Sequence, residues 1–88
     1  MLDIRPTCEN CNKDLAFDSE EAMICTFECT FCRDCVENVL HKICPNCGGG
    51  FEKRPIRPQY LLKKYPVSKK VIYMPVDLEQ HLEKIKKR

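Results

Sequence analysis

The chain has 88 residues, with 15 Lys or Arg against 13 Asp or Glu and a net charge of +2. That length allows one small domain and a tail. No apolar run approaches the length of a membrane span. Met1-Leu2-Asp3-Ile4-Arg5-Pro6 also lacks the apolar centre of a signal peptide, so a cytoplasmic chain with no membrane contact is expected.

Residues 1–7 form a short lead. All eight cysteines then follow in four pairs: Cys8/Cys11, Cys25/Cys29, Cys32/Cys35 and Cys44/Cys47. This stretch is too short to close a large apolar core unaided, and domains of that size need a staple. Leu15, Phe17, Met23, Ile24, Phe27, Phe31, Val36, Val39, Leu40 and Ile43 are its candidate core. Disulfides would need an oxidising compartment, whereas thiols in the cytoplasm stay reduced. A redox dithiol would be one pair in a βαβ context rather than four pairs. Two four-thiolate sites, taking two Zn²⁺ per chain, are the expected staple. Thiolate softness alone does not separate zinc from iron.

Within this head, Ala22–Phe27 reads as a strand. Asp34–Ile43 reads as a helix with Val36, Val39, Leu40 and Ile43 at i, i+3, i+4, i+7. Cys44-Pro45-Asn46-Cys47-Gly48 reads as a knuckle whose backbone N–H groups point at sulfur. Gly48-Gly49-Gly50 is expected to supply backbone conformations closed to other residues. His41 is expected on the surface near the helix end.

The net charge hides a polarised chain. Residues 1–50 carry 4 basic against 9 acidic side chains, whereas residues 51–88 carry 11 against 4. The tail is expected either to seek an anionic partner or to fold onto its own acidic head. The folded-back case is the favoured expectation for residues 51–76, with Leu61, Leu62 and Tyr65 half-buried and nucleic-acid affinity weak. Pro55, Pro58, Pro66 and Pro75 rule out a long helix through it. Val71-Ile72-Tyr73 is a candidate short strand. Residues 77–88 read as a helix, with Asp77 as N-cap, Gln80 at the capping-box offset, and Leu78, Leu82 and Ile85 on one face. Lys84, Lys86, Lys87 and Arg88 suit its C-terminal dipole. His81 is read as a surface residue. The domains are therefore a head at 1–51, a basic tail at 52–76 and a terminal helix at 77–88.

Written as Cys8-x2-Cys11-x13-Cys25-x3-Cys29-x2-Cys32-x2-Cys35-x8-Cys44-x2-Cys47, the head resembles the RING finger family in a variant with cysteine in place of histidine. Cys29-Thr30-Phe31-Cys32-Arg33-Asp34-Cys35 and the closing Cys44-Pro45-Asn46-Cys47 carry the likeness. The resemblance implies a small α+β domain with a short β-hairpin, one short helix and a cross-brace. Cys8, Cys11, Cys32 and Cys35 would hold one zinc, and Cys25, Cys29, Cys44 and Cys47 the other. A sequential zinc ribbon, first four cysteines and then last four, is the alternative. The crowding of Cys29 against Cys32 disfavours it mildly.

The RING likeness would imply ubiquitin ligase activity as a second alternative, which departures from the pattern disfavour. Glu9 and Asn10 stand where active ligases present an apolar residue, there is no Trp, and Gly48 occupies the place of the basic linchpin. Only Pro45 matches the partner-contacting set. The whole chain is also similar to a small uncharacterised bacterial family of cysteine-rich proteins. That likeness rests on the opening Met1-Leu2-x-Ile4-Arg5-Pro6, the Cys25–Cys32 core and Arg54-Pro55-Ile56-Arg57-Pro58.

No general base, open metal position or activated nucleophile is visible. The expected role is that of a non-catalytic adaptor or regulator, monomeric or weakly dimeric, binding a protein partner. The alternative partner is nucleic acid. In that reading Lys53, Arg54, Arg57, Lys63, Lys64, Lys69 and Lys70, interleaved with Tyr60, Tyr65 and Tyr73, meet phosphates and bases.

Overall fold

A computed structural model describes residues 2–86. A three-stranded antiparallel sheet lies at its centre, with β1 (Ala22–Ile24) between β2 (Thr30–Cys32) and β3 (Glu52–Lys53). The register sets Met23 opposite Phe31 on one side and Lys53 on the other. α1 (Arg33–Asn38) follows β2 directly, and α2 (Leu78–Lys86) closes the described chain. The basic segment between β3 and α2 holds a single 3-10 turn at Gln59–Leu61.

The expected strand at Ala22–Phe27 stops at Ile24 because the next residue begins a turn about a sulfur. The Cys25 N–H bonds the Cys29 carbonyl at 3.2 Å, and the N–H groups of Phe27 and Cys29 both donate to Cys25 Sγ at 3.3 Å. Glu28 takes a positive φ of 64° to close this turn. Its middle residues are thereby thrown outward. Phe27, expected in the core, is 75% exposed.

The first helix is also shorter than its apolar stripe. It starts where Cys32 leaves β2 in an extended conformation and ends at Asn38. His41 and Lys42 then adopt left-handed φ values of 52° and 63°, which no helix accommodates. Val36 and Leu40 are buried and Val39 is packed against them, so the stripe does face the core even though its last turn is not helical. His41 is exposed, as expected.

Leu15, Ala22, Phe31, Val36 and Leu40 form the apolar centre, together with buried cysteines, and Ile4 is buried outside that cluster. Phe51, just past the glycines, meets Phe31 edge-on with centroids 5.6 Å apart at 82°. This contact and β3 escaped sequence reasoning, because two residues of strand after a glycine run carry no periodic signal. Of the three glycines, two have an evident conformational reason. Gly48 has a φ of +74°, and a Cβ at Gly49 would come within 3.0 Å of Thr26 Cγ2.

The tail lies along the head, and of the charge attraction expected one contact forms among the described residues, Lys53 to Glu20 at 3.4 Å. Among the described residues no ion pair joins residues 54–86 to the head; the salt bridges are Arg5–Asp3, Arg5–Glu9, Lys13–Glu21 and Lys53–Glu20. Instead Arg54, 1% exposed, donates to the carbonyls of Arg5 at 2.8 Å and Ala16 at 2.7 Å. Arg57 donates to the carbonyls of Leu2 and Tyr65, each at 2.7 Å. A planar five-donor fork suits several carbonyls at once, which an ammonium does not. Further on, Ser68 N–H bonds the Ile4 carbonyl and Met74 N–H the Glu9 carbonyl. Leu61, Leu62 and Tyr65 are half-buried, and no strand forms at 71–73.

α2 begins as expected: Asp77 Oδ1 accepts the N–H groups of Glu79 and Gln80, at 3.1 and 3.3 Å. Lys87 and Arg88, expected at its end, lie outside the described residues. Its contact with the head differs from expectation. Leu78 and Leu82 are 47% and 38% exposed, whereas His81 is 2% exposed, with Nε2 at 2.7 Å from the Leu40 carbonyl. His81 fills the i+3 gap in the Leu78–Leu82–Ile85 stripe, and that spacing was the available clue. None of the described helices is long and apolar enough to cross a membrane.

Two interleaved cysteine clusters as candidate metal centres

No disulfide joins any of the eight cysteines. Cys8 and Cys11 sit in the turn that follows the lead. This turn is closed by Cys8 N–H to the Lys13 carbonyl and Asn12 N–H to the Cys8 carbonyl, both 2.9 Å. Cys32 ends β2 and Cys35 lies in the first turn of α1. Glu9 N–H bonds the Thr30 carbonyl at 3.0 Å and binds the first turn to β2. As a result the sulfurs of Cys8, Cys11, Cys32 and Cys35 all lie within 4.8 Å of one another.

The second cluster joins the β1–β2 turn to the knuckle after α1. The sulfurs of Cys25, Cys44 and Cys47 lie within 4.8 Å of one another. Cys29 stands beside them but outside that mutual distance. Its N–H and carbonyl bind Cys25 as described, and Asn46 Nδ2 approaches its sulfur at 3.5 Å. Seven of the eight cysteines are thus gathered as the RING likeness implies, in clusters that alternate along the chain, and the eighth is adjacent. A sequential ribbon would have brought Cys8 together with Cys25, which the fold does not do.

The donor set fits a thiophilic dication. Sulfurs about 2.3 Å from a tetrahedral Zn²⁺ lie about 3.8 Å from one another, and Cys11 and Cys32 stand 3.7 Å apart. The surroundings supply N–H and O–H donors that disperse thiolate charge. Asn46 and Gly49 N–H groups point at Cys44 and Cys47 at 3.4 Å, as expected for the knuckle. Thr26 Oγ1 donates to Cys47 and Asn10 Nδ2 to Cys35, both at 3.2 Å.

Burial and local donors pull these thiols in opposite directions. Burial pushes up Cys25, Cys32 and Cys35, and takes Cys44 up to about 12. At Cys47 the cost of burial is outweighed by the Thr26 hydroxyl and the Gly49 N–H, and the thiol is lowered to about 6. A bound dication would supply the charge compensation that the buried thiols lack.

Glu9 and Asn10, the two departures from the RING pattern, are structural here. Glu9 is 5% exposed, and its Oε2 accepts from Arg5 at 2.7 Å and from Thr30 N–H at 2.6 Å. Asn10 donates to Cys35 and accepts Val76 N–H through Oδ1 at 2.9 Å. With Lys84 reaching the Pro45 carbonyl at 3.4 Å, residues 74–84 run past Glu9, Asn10, Leu40 and Pro45. A cavity of about 240 Å³ remains beneath them, lined in part by Glu9, Asn46, Asp77 and His81.

Residues 1–57 match the family described as protein of unknown function (DUF1272). The chain belongs to that family. It is also 60% identical, over 68 residues, to an uncharacterised protein of Rhizobium meliloti (strain 1021); the match spans 77% of this chain and 81% of the relative. The matched family region ends at Arg57, so it holds both clusters and both tail arginines. No solved structure matches the chain.

Proposed function

We propose that this family member is a zinc-stabilised interaction module without catalytic activity of its own, acting as an adaptor or regulator for another macromolecule. Cys8, Cys11, Cys32 and Cys35 would hold one Zn²⁺. Cys25, Cys44 and Cys47 would hold a second, with Cys29 completing the set. The observation that carries this reading is the gathering of the sulfurs into two clusters, four in one and three in the other with Cys29 beside them. With Cys29 as the fourth ligand, neither site would leave the open coordination position that catalytic zinc requires. The residues that a ligase would use against its partner, Glu9 and Asn10, are engaged by the chain's own lead and tail.

Elemental analysis of the purified chain tests the metal, with two zinc per chain expected. A pull-down from the native host with the zinc-loaded protein tests the role. Enhanced ubiquitin discharge from a charged conjugating enzyme would overturn the non-catalytic reading.

A further inference from the structure

Between Glu52 and Asp77 the chain has seven basic residues and no acidic one. The fold divides them. Arg54 and Arg57 turn inward onto carbonyls, and Lys53 pairs with Glu20 at 3.4 Å. Lys63, Lys64, Lys69 and Lys70 are exposed and form no ion pair among the described residues. The turn that carries the first two is ordered from within by Leu61 N–H to Pro58, Leu62 N–H to Gln59 and Tyr65 N–H to Leu61, at 2.8–3.1 Å. It is tied to the lead by Arg57. Leu61, Leu62 and Tyr65 are half-buried. Tyr60, 80% exposed, stands at helical spacing from Lys63 and Lys64. Lys64 Nζ lies 5.6 Å from the Tyr65 ring centroid. Lys69 and Lys70 follow directly on the anchored Ser68.

We propose that Tyr60, Lys63, Lys64, Lys69 and Lys70 form a face for single-stranded nucleic acid, with the tyrosine stacking on a base and the lysines neutralising phosphates. The proposal deepens the interaction-module reading by naming the partner class. A bare lysine patch would suit any anionic surface. An exposed aromatic ring beside the charges suits a base, which a lipid headgroup or an acidic peptide does not offer. The arginines, the better phosphate forks, are committed to the fold, so the face is a set of point charges with no means of reading sequence. Binding without sequence preference is expected.

Fluorescence anisotropy of the zinc-loaded full chain with a labelled oligothymidine of about twelve nucleotides tests this. Four neutralised phosphates predict a slope of log K against log salt of about −3, at about 0.7 per phosphate. Tyr60→Ala should weaken binding about tenfold. Lys69→Gln with Lys70→Gln should roughly halve the slope. All three positions are exposed, so zinc content should stay unchanged and serves as the folding control. Two outcomes would overturn the proposal: no binding at physiological salt, or binding that ignores Tyr60→Ala and is matched by anionic phosphatidylserine vesicles. A chain that captures a protein but no oligonucleotide refutes the nucleic-acid face and leaves the interaction module standing. A chain that folds without metal yet binds the strand keeps the face and removes the zinc reading.

Discussion

Residues 8–47 are organised around sulfur, whereas residues 51–86 are organised around guanidinium groups and backbone N–H donors laid on the head. The two regions face the same difficulty, too little apolar surface, and meet it differently. In the head, side chains distant in sequence converge on two points, so its order depends on what fills those points. In the tail, Arg54 and Arg57 reach into a surface already formed and satisfy carbonyls of Leu2, Arg5, Ala16 and Tyr65. The tail should therefore fail when the head fails. Loss of the tail's own contacts should weaken the head without unfolding it.

Strong chelation is the most direct way to break that comparison. It should abolish folding of the head and release the tail with it, since structural zinc contributes on the order of 10–16 kcal/mol in small fingers. Circular dichroism and amide spectra before and after chelation report both regions. A head that stays folded would remove the distinction drawn here. In the same experiment Cys32→Ser should empty the cluster that contains Cys8 and spare the one that contains Cys25, as cadmium NMR would show.

Acid should act in the same direction. The metal-bound fold holds thiolates, whereas unfolded thiols titrate near 8.5. Below that value the unfolded chain binds more protons, so stability falls as pH falls. Release should take up about four protons per ion. A zinc-release titration followed with a chelating dye measures the slope, and a pH-independent affinity would refute thiolate ligation.

Arg54→Ala should cost about 3 kcal/mol in urea unfolding, because it leaves buried carbonyls unpaired and opens a void. Arg54→Lys should recover little, because one ammonium cannot span the same acceptors. Metal content should stay at its wild-type value in both variants, and this separates tail from head. If Arg54→Ala costs no more than an exposed lysine replacement, the tail is not held as described.

His81→Ala should cost about 1–2 kcal/mol and raise hydrogen exchange across Leu78–Lys86 while leaving the sheet protected. Asp77→Ala should cost about 1 kcal/mol through the lost cap, with fraying confined to the first turn of α2. If exchange also rises in β1 and β2, the terminal helix is part of the head rather than an attachment to it.

How much of this was legible can be followed residue by residue. The cysteine pairs were plain, because metal-ligand spacing is a local property of the chain. The start of α1, the Asp77 cap and the half-burial of Leu61, Leu62 and Tyr65 were also within reach of local rules. Phe27 was misjudged because hydrophobicity says nothing about which residue a sulfur-centred turn will expel. His81 was misjudged because a histidine in an apolar stripe reads as surface until a carbonyl is found opposite it. Arg54 gave no sign of burial, since its partners are main-chain oxygens 38 and 49 residues away.

The sequence by itself determined that eight thiols would be brought together by a fold too small to stand on its apolar residues, and that a strongly basic segment would follow. Those properties lie in composition and short-range spacing. Only the tertiary structure decided which thiols share a cluster, which arginines turn inward and which lysines are left facing water. Each of those depends on what long-range packing sets opposite a side chain, and spacing along the chain carries no record of that.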